Sequence, residues 1–433
     1  MMKAKLLSIV ITCAILLNGC SDLASAIRDK IDESSLAMTS GQDGVSYTQE
    51  ILVIDEMGNP KEESESTGFT SEENVDAQLP HGSIDPLEIR KMSSAIVEEY
   101  AYDNLTTNEE RSTYRQIYDI LTDFEKEAYV TSLNTDVIDR AFSAVLTDHP
   151  EIFYVKGYSI KTYTRNGITE KITLSGSYVM DEKTALECKS IADSYVNNCE
   201  ATIPYDADDY TKVKLVYEYI IKNTEYDKGA PNNQNVISVF RNHRSVCQGY
   251  AKALQLILND MGVFCTLVEG TVKDGEAHVW DLVRIDGEYY HVDPTWGDAS
   301  YKLISDEERD QEEESYEPPN INYDYLCTTT ADIERTHQIK SNFPIPECRS
   351  VAANYYYREG LYFDSIDEDK LDRAFSNAYN QYKDSLTLKC SDEHVYSDMK
   401  TYLLTEQKIF KFLRDTSISY VEIPEQYELM FYL

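Results

Sequence analysis

Basic residues are scarce in this 433-residue chain: 40 lysines and arginines stand against 77 aspartates and glutamates, a formal net charge of −37. That balance repels nucleic acid and anionic lipid surfaces, so no polyanion partner is expected. Long hydrophobic runs are missing too: after the first twenty residues no eighteen apolar residues follow one another, so no second membrane anchor is expected. The cysteines form no CxxC pair and no Cys/His cluster at zinc-ligand spacing, which argues against a metal site. The acidic run at 305–319 lacks the ligand spacing of an EF-hand. Internal repeats are absent.

What the chain does have begins with an address. Lys3 and Lys5 precede a short apolar run, Leu6 to Leu17, which fits a secretory signal better than a membrane span. The run ends in Leu17-Asn18-Gly19-Cys20, which resembles a bacterial lipobox. The expectation is an exported protein held on the membrane by a lipid on Cys20 and facing outside the cytoplasm. Tyrosine is abundant, 34 against 12 phenylalanines, a composition suited to wet, amphipathic contacts. Of nine cysteines, seven lie beyond the signal and Cys20. Setting Cys247 aside leaves six, which permits disulfides without requiring them. Cys188 and Cys199 share one helical run; eleven residues at about 1.5 Å each put them roughly 16 Å apart, too far to bridge.

The pattern divides the chain into a lipoprotein signal peptide (1–20), a flexible Ser/Glu-rich tether (21–85) and an N-terminal α+β domain (86–180). A catalytic core (181–304), an acidic loop (305–319) and a C-terminal α+β region (320–433) follow. In the N-terminal domain, helices are expected from Leu87 to Tyr102, Asn108 to Leu121 and Thr135 to Leu146, then strands at 152–155, 159–165 and 169–179. Asn166-Gly167 makes the hairpin turn. His149 reads as a capping or packing residue. The C-terminal region shows a hairpin-like pair at Tyr355–Phe363, helices at 367–383 and 395–413, and strands near 386–389, 418–423 and 428–433.

One stretch organises the middle: Ser245-Val246-Cys247-Gln248-Gly249-Tyr250-Ala251. Tyr250, Leu254, Ile257, Leu258 and Met261 repeat at helical spacing, and Gly262 is placed to stop the helix. A thiol at a helix N-terminus faces open N–H groups and the positive end of the macrodipole, which favours thiolate. His278 and Asp293 follow on strands joined by the Asp286-Gly287 turn, so they can be cross-strand neighbours. Cysteine chemistry needs a nucleophile, a base and a group that fixes the base, and Cys247, His278 and Asp293 fill those roles. The Cys247 N–H is the natural oxyanion donor. Tyr226, Asn232 and Gln234 are candidates for a second, His291 is a competing base, and Gln248 flanks the nucleophile. His81, His337 and His394 carry no signal, and His243 reads as packing.

The ordered motifs VCQGYA, AHVWDLV and YYHVDPTWGD resemble the transglutaminase-like superfamily, whose core is papain-like, and in particular its bacterial exported members. The likeness covers roughly residues 205–300. It implies an α+β fold, a nucleophile helix packed on an antiparallel sheet, with Cys247 as nucleophile, His278 as base and Asp293 as orienting acid. It also implies Trp280 and Trp296 beside the site, and no metal or organic cofactor in the chemistry. The family usually has Asn where this chain has Asp281, which on an alternating strand points away from His278.

The expected function is a cysteine protease-type hydrolase acting on peptide or glutamine amides of a protein substrate at the cell surface. Two alternatives stand beside it: a cross-linking transglutaminase, in which a lysine amine resolves the thioester, and a non-catalytic binding module.

Overall fold

The computed structural model describes residues 98–273, 275–298, 321–414 and 417–433, together with the backbone of 45–51. The signal peptide with Cys20, the acidic loop 305–319 and most of the helix expected from Leu87 lie outside the described residues. The first described helix is short, Tyr100–Asp103. Among the described residues no helix is long and apolar enough to cross a membrane.

The N-terminal part is a sheet packed on two helices. Thr107 starts helix Asn108–Thr122 through a capping box with Glu110. Its inward stripe, Tyr114, Ile117 and Leu121, meets Ile138, Phe142 and Val145 of helix Thr135–Asp148 in one buried cluster. The sheet holds β1 (Val45–Ile51), β2 (Ala128–Val130), β3 (Val155–Arg165) and β4 (Ile168–Tyr178) in the order β1-β3-β4-β2. Asn166 and Gly167 both take positive φ, the geometry of a tight hairpin turn. Two expectations change here. Residues 45–51, inside the stretch read as a tether, pair along β3. Residues 152–154 are turn, not strand, because Ile152 and Val155 N–H groups close turns on His149 and Ile152.

The central part holds the candidate site. Helices Glu182–Glu200 and Asp209–Asn223 start at Asp181 and Asp208, whose carboxylates take the N–H groups of Thr184 and Thr211. Two short parallel strands, β5 (Glu225–Tyr226) and β6 (Arg244–Ser245), lead into helix Cys247–Asp260. Gly262, at φ +76°, ends that helix, as its position suggests. The following sheet contains β7 (Cys265–Val272), β8 (Ala277–Ile285), β9 (Glu288–Val292) and β10 (His337–Ile339), all antiparallel in the order β10-β7-β8-β9. Its outer strand thus comes from the region assigned to the C-terminal unit, so the boundary at 304 cuts through this sheet. One face is covered by the Cys247 helix, where Ala251 packs on Leu267 and Val279. The other buries Trp280, Leu282 and Val268 under Tyr325, Ile333 and Cys348.

The remaining sheet holds β11 (Tyr362–Phe363), β12 (Ser385–Cys390), β13 (Tyr420–Ile423) and β14 (Glu428–Tyr432) in the order β11-β12-β14-β13. The tyrosine run is not a hairpin. Asn354 caps a helix over Tyr355–Arg358, and β11 then pairs in parallel with β12. The helix expected to reach Leu413 is α-helical only over Glu393–Lys400 and then loosens into π and 3₁₀ turns. All seven described cysteines are free thiols.

Candidate active site

Cys247 is the first residue of its helix, and Val246 before it offers no side-chain cap. Gly249 and Tyr250 send their N–H groups to the Val246 carbonyl, so the Cys247 N–H heads the turn. The nucleophile's approach is fixed from upstream. Tyr226 lies in register with Ser245, and the Ser245 hydroxyl accepts from Ser238 at 2.6 Å and donates to the Asn233 carbonyl at 2.8 Å. The same carbonyl takes the Val246 N–H at 3.4 Å. The loop residue tied to the nucleophile turn is Asn233, which lies between the two oxyanion-donor candidates Asn232 and Gln234. Cys247 is 8% exposed, whereas no other described cysteine exceeds 2%.

His278, near the start of β8, places Nε2 at 2.7 Å from Asp293 Oδ2. Pairing along β8 and β9 runs Asp281 to Val292, so Asp293 falls opposite Trp280 and His278 sits diagonally two residues away, on the same face. Asp293 is itself anchored: Oδ1 takes the N–H groups of Thr295 at 2.9 Å and Trp296 at 3.1 Å, capping a one-turn helix. With Nε2 engaged by Asp293, Nδ1 is the ring nitrogen left for the Cys247 thiol, which also acts electrostatically on His278. Burial would lower the His278 pKa. The charge and hydrogen bond of Asp293, and then Cys247, outweigh it and lift the value to about 10. Burial works against the Asp293 anion, but His278 and a second histidine hold its carboxyl well below the usual range.

Trp280 stacks beside His278 with ring centroids 6.0 Å apart, and Trp296 meets it edge-on at 6.4 Å. Both tryptophans flank the site, as the resemblance implies. Gln248 is buried in the first turn, its Oε1 without a hydrogen-bond partner. His291 is not placed to act as the base. It is fully buried, its Nδ1 accepts the Trp280 indole N–H at 3.1 Å and its Nε2 meets Thr330 Oγ1 at 3.2 Å. Burial, helped by His337, pushes its pKa down to about 3. Asp281 points to the opposite face, where its Oδ1 lies 3.4 Å from the Cys265 thiol.

The residue missed by sequence reasoning is His337. Its Nε2 lies 3.0 Å from the same Asp293 Oδ2 that His278 engages. No spacing in the sequence ties it to Asp293, 44 positions earlier; only the short alternation of β10 hints at a buried strand. His278, Asp293 and His337 bring three ligand-type atoms within 4.8 Å of one another. Both ring nitrogens are spent on one carboxylate oxygen, and hydrogen bonding accounts for the cluster.

A cysteine heading a helix, with a histidine on one strand and an acid just past the end of its antiparallel neighbour, is consistent with a papain-like cysteine fold. Residues 197–294 match the transglutaminase-like superfamily, so the chain carries a transglutaminase-like domain on an α+β core. The human kyphoscoliosis peptidase is 26% identical over 113 residues, 22% of this chain and 17% of that protein. The chain thus spans under a fifth of the length of this curated relative. Among solved structures, one described as a TGase is 16% identical with a TM-score of 0.25, covering 38% of this chain and 48% of that one. The periplasmic domain of TgpA from Pseudomonas aeruginosa is 16% identical with a TM-score of 0.21, covering 33% and 62%.

Proposed function

We propose that this chain is a membrane-anchored, extracytoplasmic cysteine acyl-transferase that works as a hydrolase on peptide or glutamine amides of surface proteins. What supports the reading is the 2.7 Å hydrogen bond from His278 to Asp293, together with Cys247 at the head of its helix and in electrostatic reach of His278. Cys247 sulfur attacks the amide carbonyl, and the oxyanion forms against the Cys247 N–H at the helix start. His278, held as imidazolium by Asp293, gives its proton to the leaving amine, and a thioester remains on the enzyme. Water then attacks with His278 as base, releasing the acid and the free thiol. Asp293 keeps the ring in the tautomer and plane both steps need. Export and the lipid on Cys20 rest on the signal and the Leu17–Cys20 motif.

The test is mass spectrometry of surface-protein digests incubated with the wild-type protein and with Cys247→Ala. Cleaved or deamidated peptides seen only with wild type support hydrolysis. Isopeptide-linked peptides would move the acceptor from water to lysine, and identical digests with both proteins would sink the enzymatic reading.

A further inference from the structure

We propose that His337 is a positioning residue of this site: it donates a second imidazole N–H to Asp293 and thereby limits how basic His278 becomes. The inference rests on the catalytic reading above. Asp293 Oδ2 receives two rings, His278 at 2.7 Å and His337 at 3.0 Å, and its Oδ1 receives two backbone N–H groups. A carboxylate only accepts, so His337 faces it with Nε2–H, and its Nδ1 is left to accept from the Thr336 hydroxyl at 2.8 Å.

The fold takes trouble to bring this ring in. His337 lies on β10, opposite Val272 on β7, while His278 lies on β8 beyond it. Gly270, opposite His278, is where the rings need room. A Cβ there would stand 2.2 Å from the Gln338 carbonyl and 2.7 Å from the Trp280 ring. Trp280 therefore lies over the glycine, with the His337 ring 5.1 Å away and edge-on. Without a side chain at 270, β10 and the Trp280 ring both close over the site.

The charges around it fit one imidazolium and one neutral imidazole. His337 is fully buried, and burial together with the His278 charge keeps its pKa low despite Asp293. The titratable groups around this pair are Cys247 from the nucleophile helix, His291 from β9, the phenols of Tyr217 and Tyr325, and, acting on Asp293 from the far face of β8, Asp281. Since Oδ1 already fixes Asp293 in place, loss of His337 leaves the carboxylate where it is and gives its charge wholly to His278. A more basic His278 is a poorer acid toward the leaving amine.

The rate of Cys247 alkylation by iodoacetamide, followed from neutral to alkaline pH on the full chain, reads this directly. Wild type should show an alkaline limb where His278 loses its proton. His337→Phe should move that limb up by roughly half to one pH unit, the effect of one lost neutral hydrogen bond. His337→Gln, which can still donate, should leave it near the wild-type position. An unmoved limb in the Phe variant overturns the proposal, while a wild-type Cys247 that reacts no faster than Cys265 overturns the catalytic reading instead. Should His337→Phe fail to fold, histidine-labelled NMR of the wild type decides: His337 must stay neutral and Nε2-protonated from about pH 7 to about pH 9. Titration in that window, or the other tautomer, refutes the role.

Discussion

Replacing Asp281 by Asn should stabilise the protein at neutral pH and leave it unchanged in acid. Asp281 is wholly buried on the face of β8 turned toward the Cys247 helix. Oδ1 faces the Cys265 thiol, and Oδ2 has no hydrogen-bond partner. Burial, opposed by the Cys265 hydrogen bond and aided by the Asp293 charge, raises its pKa well above the ordinary carboxylate value. The unfolded chain releases this proton near pH 3.9, whereas the folded chain keeps it. The folded state therefore binds more protons, so this stability is fully present below about pH 3.9 and is lost as pH rises toward the folded value. One proton changes stability by a little over 1 kcal/mol per pH unit, so pH 4 to 7 sets an upper bound of roughly 4 kcal/mol. Relaxation around the group lowers that to about 1–3 kcal/mol. An Asn has no proton to lose, and its amide N–H is left as unpaired as the carboxyl O–H is now. Urea denaturation of both proteins at pH 4, 5.5 and 7 should show a gain that grows with pH. A gain of equal size at every pH, or a loss at pH 7, would refute the reasoning.

Gly249→Ala should destabilise, although Ala is the better helix former by about 1 kcal/mol. Its Cβ would stand 1.9 Å from Ser245 Oγ, which is fixed by two hydrogen bonds; a net loss of about 1–3 kcal/mol is expected in thermal melts, with slower Cys247 alkylation. His291→Gln should leave Cys247 alkylation within about twofold of wild type, because His291 holds the Trp280 indole and not the nucleophile. Glu428→Ala should cost up to about 3–5 kcal/mol, since it removes the carboxylate that the buried Lys389 ammonium meets at 2.8 Å and leaves it only the charges of Asp324 and Asp332. Lys389→Met combined with Glu428→Leu should recover most of that stability.

Much of this was legible where the signal is local. The Cys247 helix, the Asn166-Gly167 and Asp286-Gly287 turns, and the strands around His278 and Asp293 follow from periodicity and turn chemistry that neighbouring residues supply. What escaped was set by distant chain. Nothing within ten residues of His337 says that β10 closes the sheet carrying His278, because that edge is fixed by pairing with β7 across the acidic segment. Tyr355–Tyr357 has the residue types of a strand, yet Asn354 caps a helical turn and Tyr355 stacks on Tyr323 at 3.8 Å. His291 shares a face with Asp293, which alternation shows, but only packing reveals that it faces Trp280. Asp281 ran the other way: alternation alone placed it on the far face, and the hydrogen bond to Cys265 lies there.

The central claim is that Cys247 is activated by a histidine held by Asp293. Its most direct test is the rate at which iodoacetamide labels each thiol at pH 7, read by peptide mass spectrometry in wild type and in His278→Ala. The account predicts that Cys247 reacts at least about tenfold faster than Cys265 and that the advantage disappears in the variant. Equal rates at the two cysteines in wild type, or an advantage that survives without His278, would contradict it.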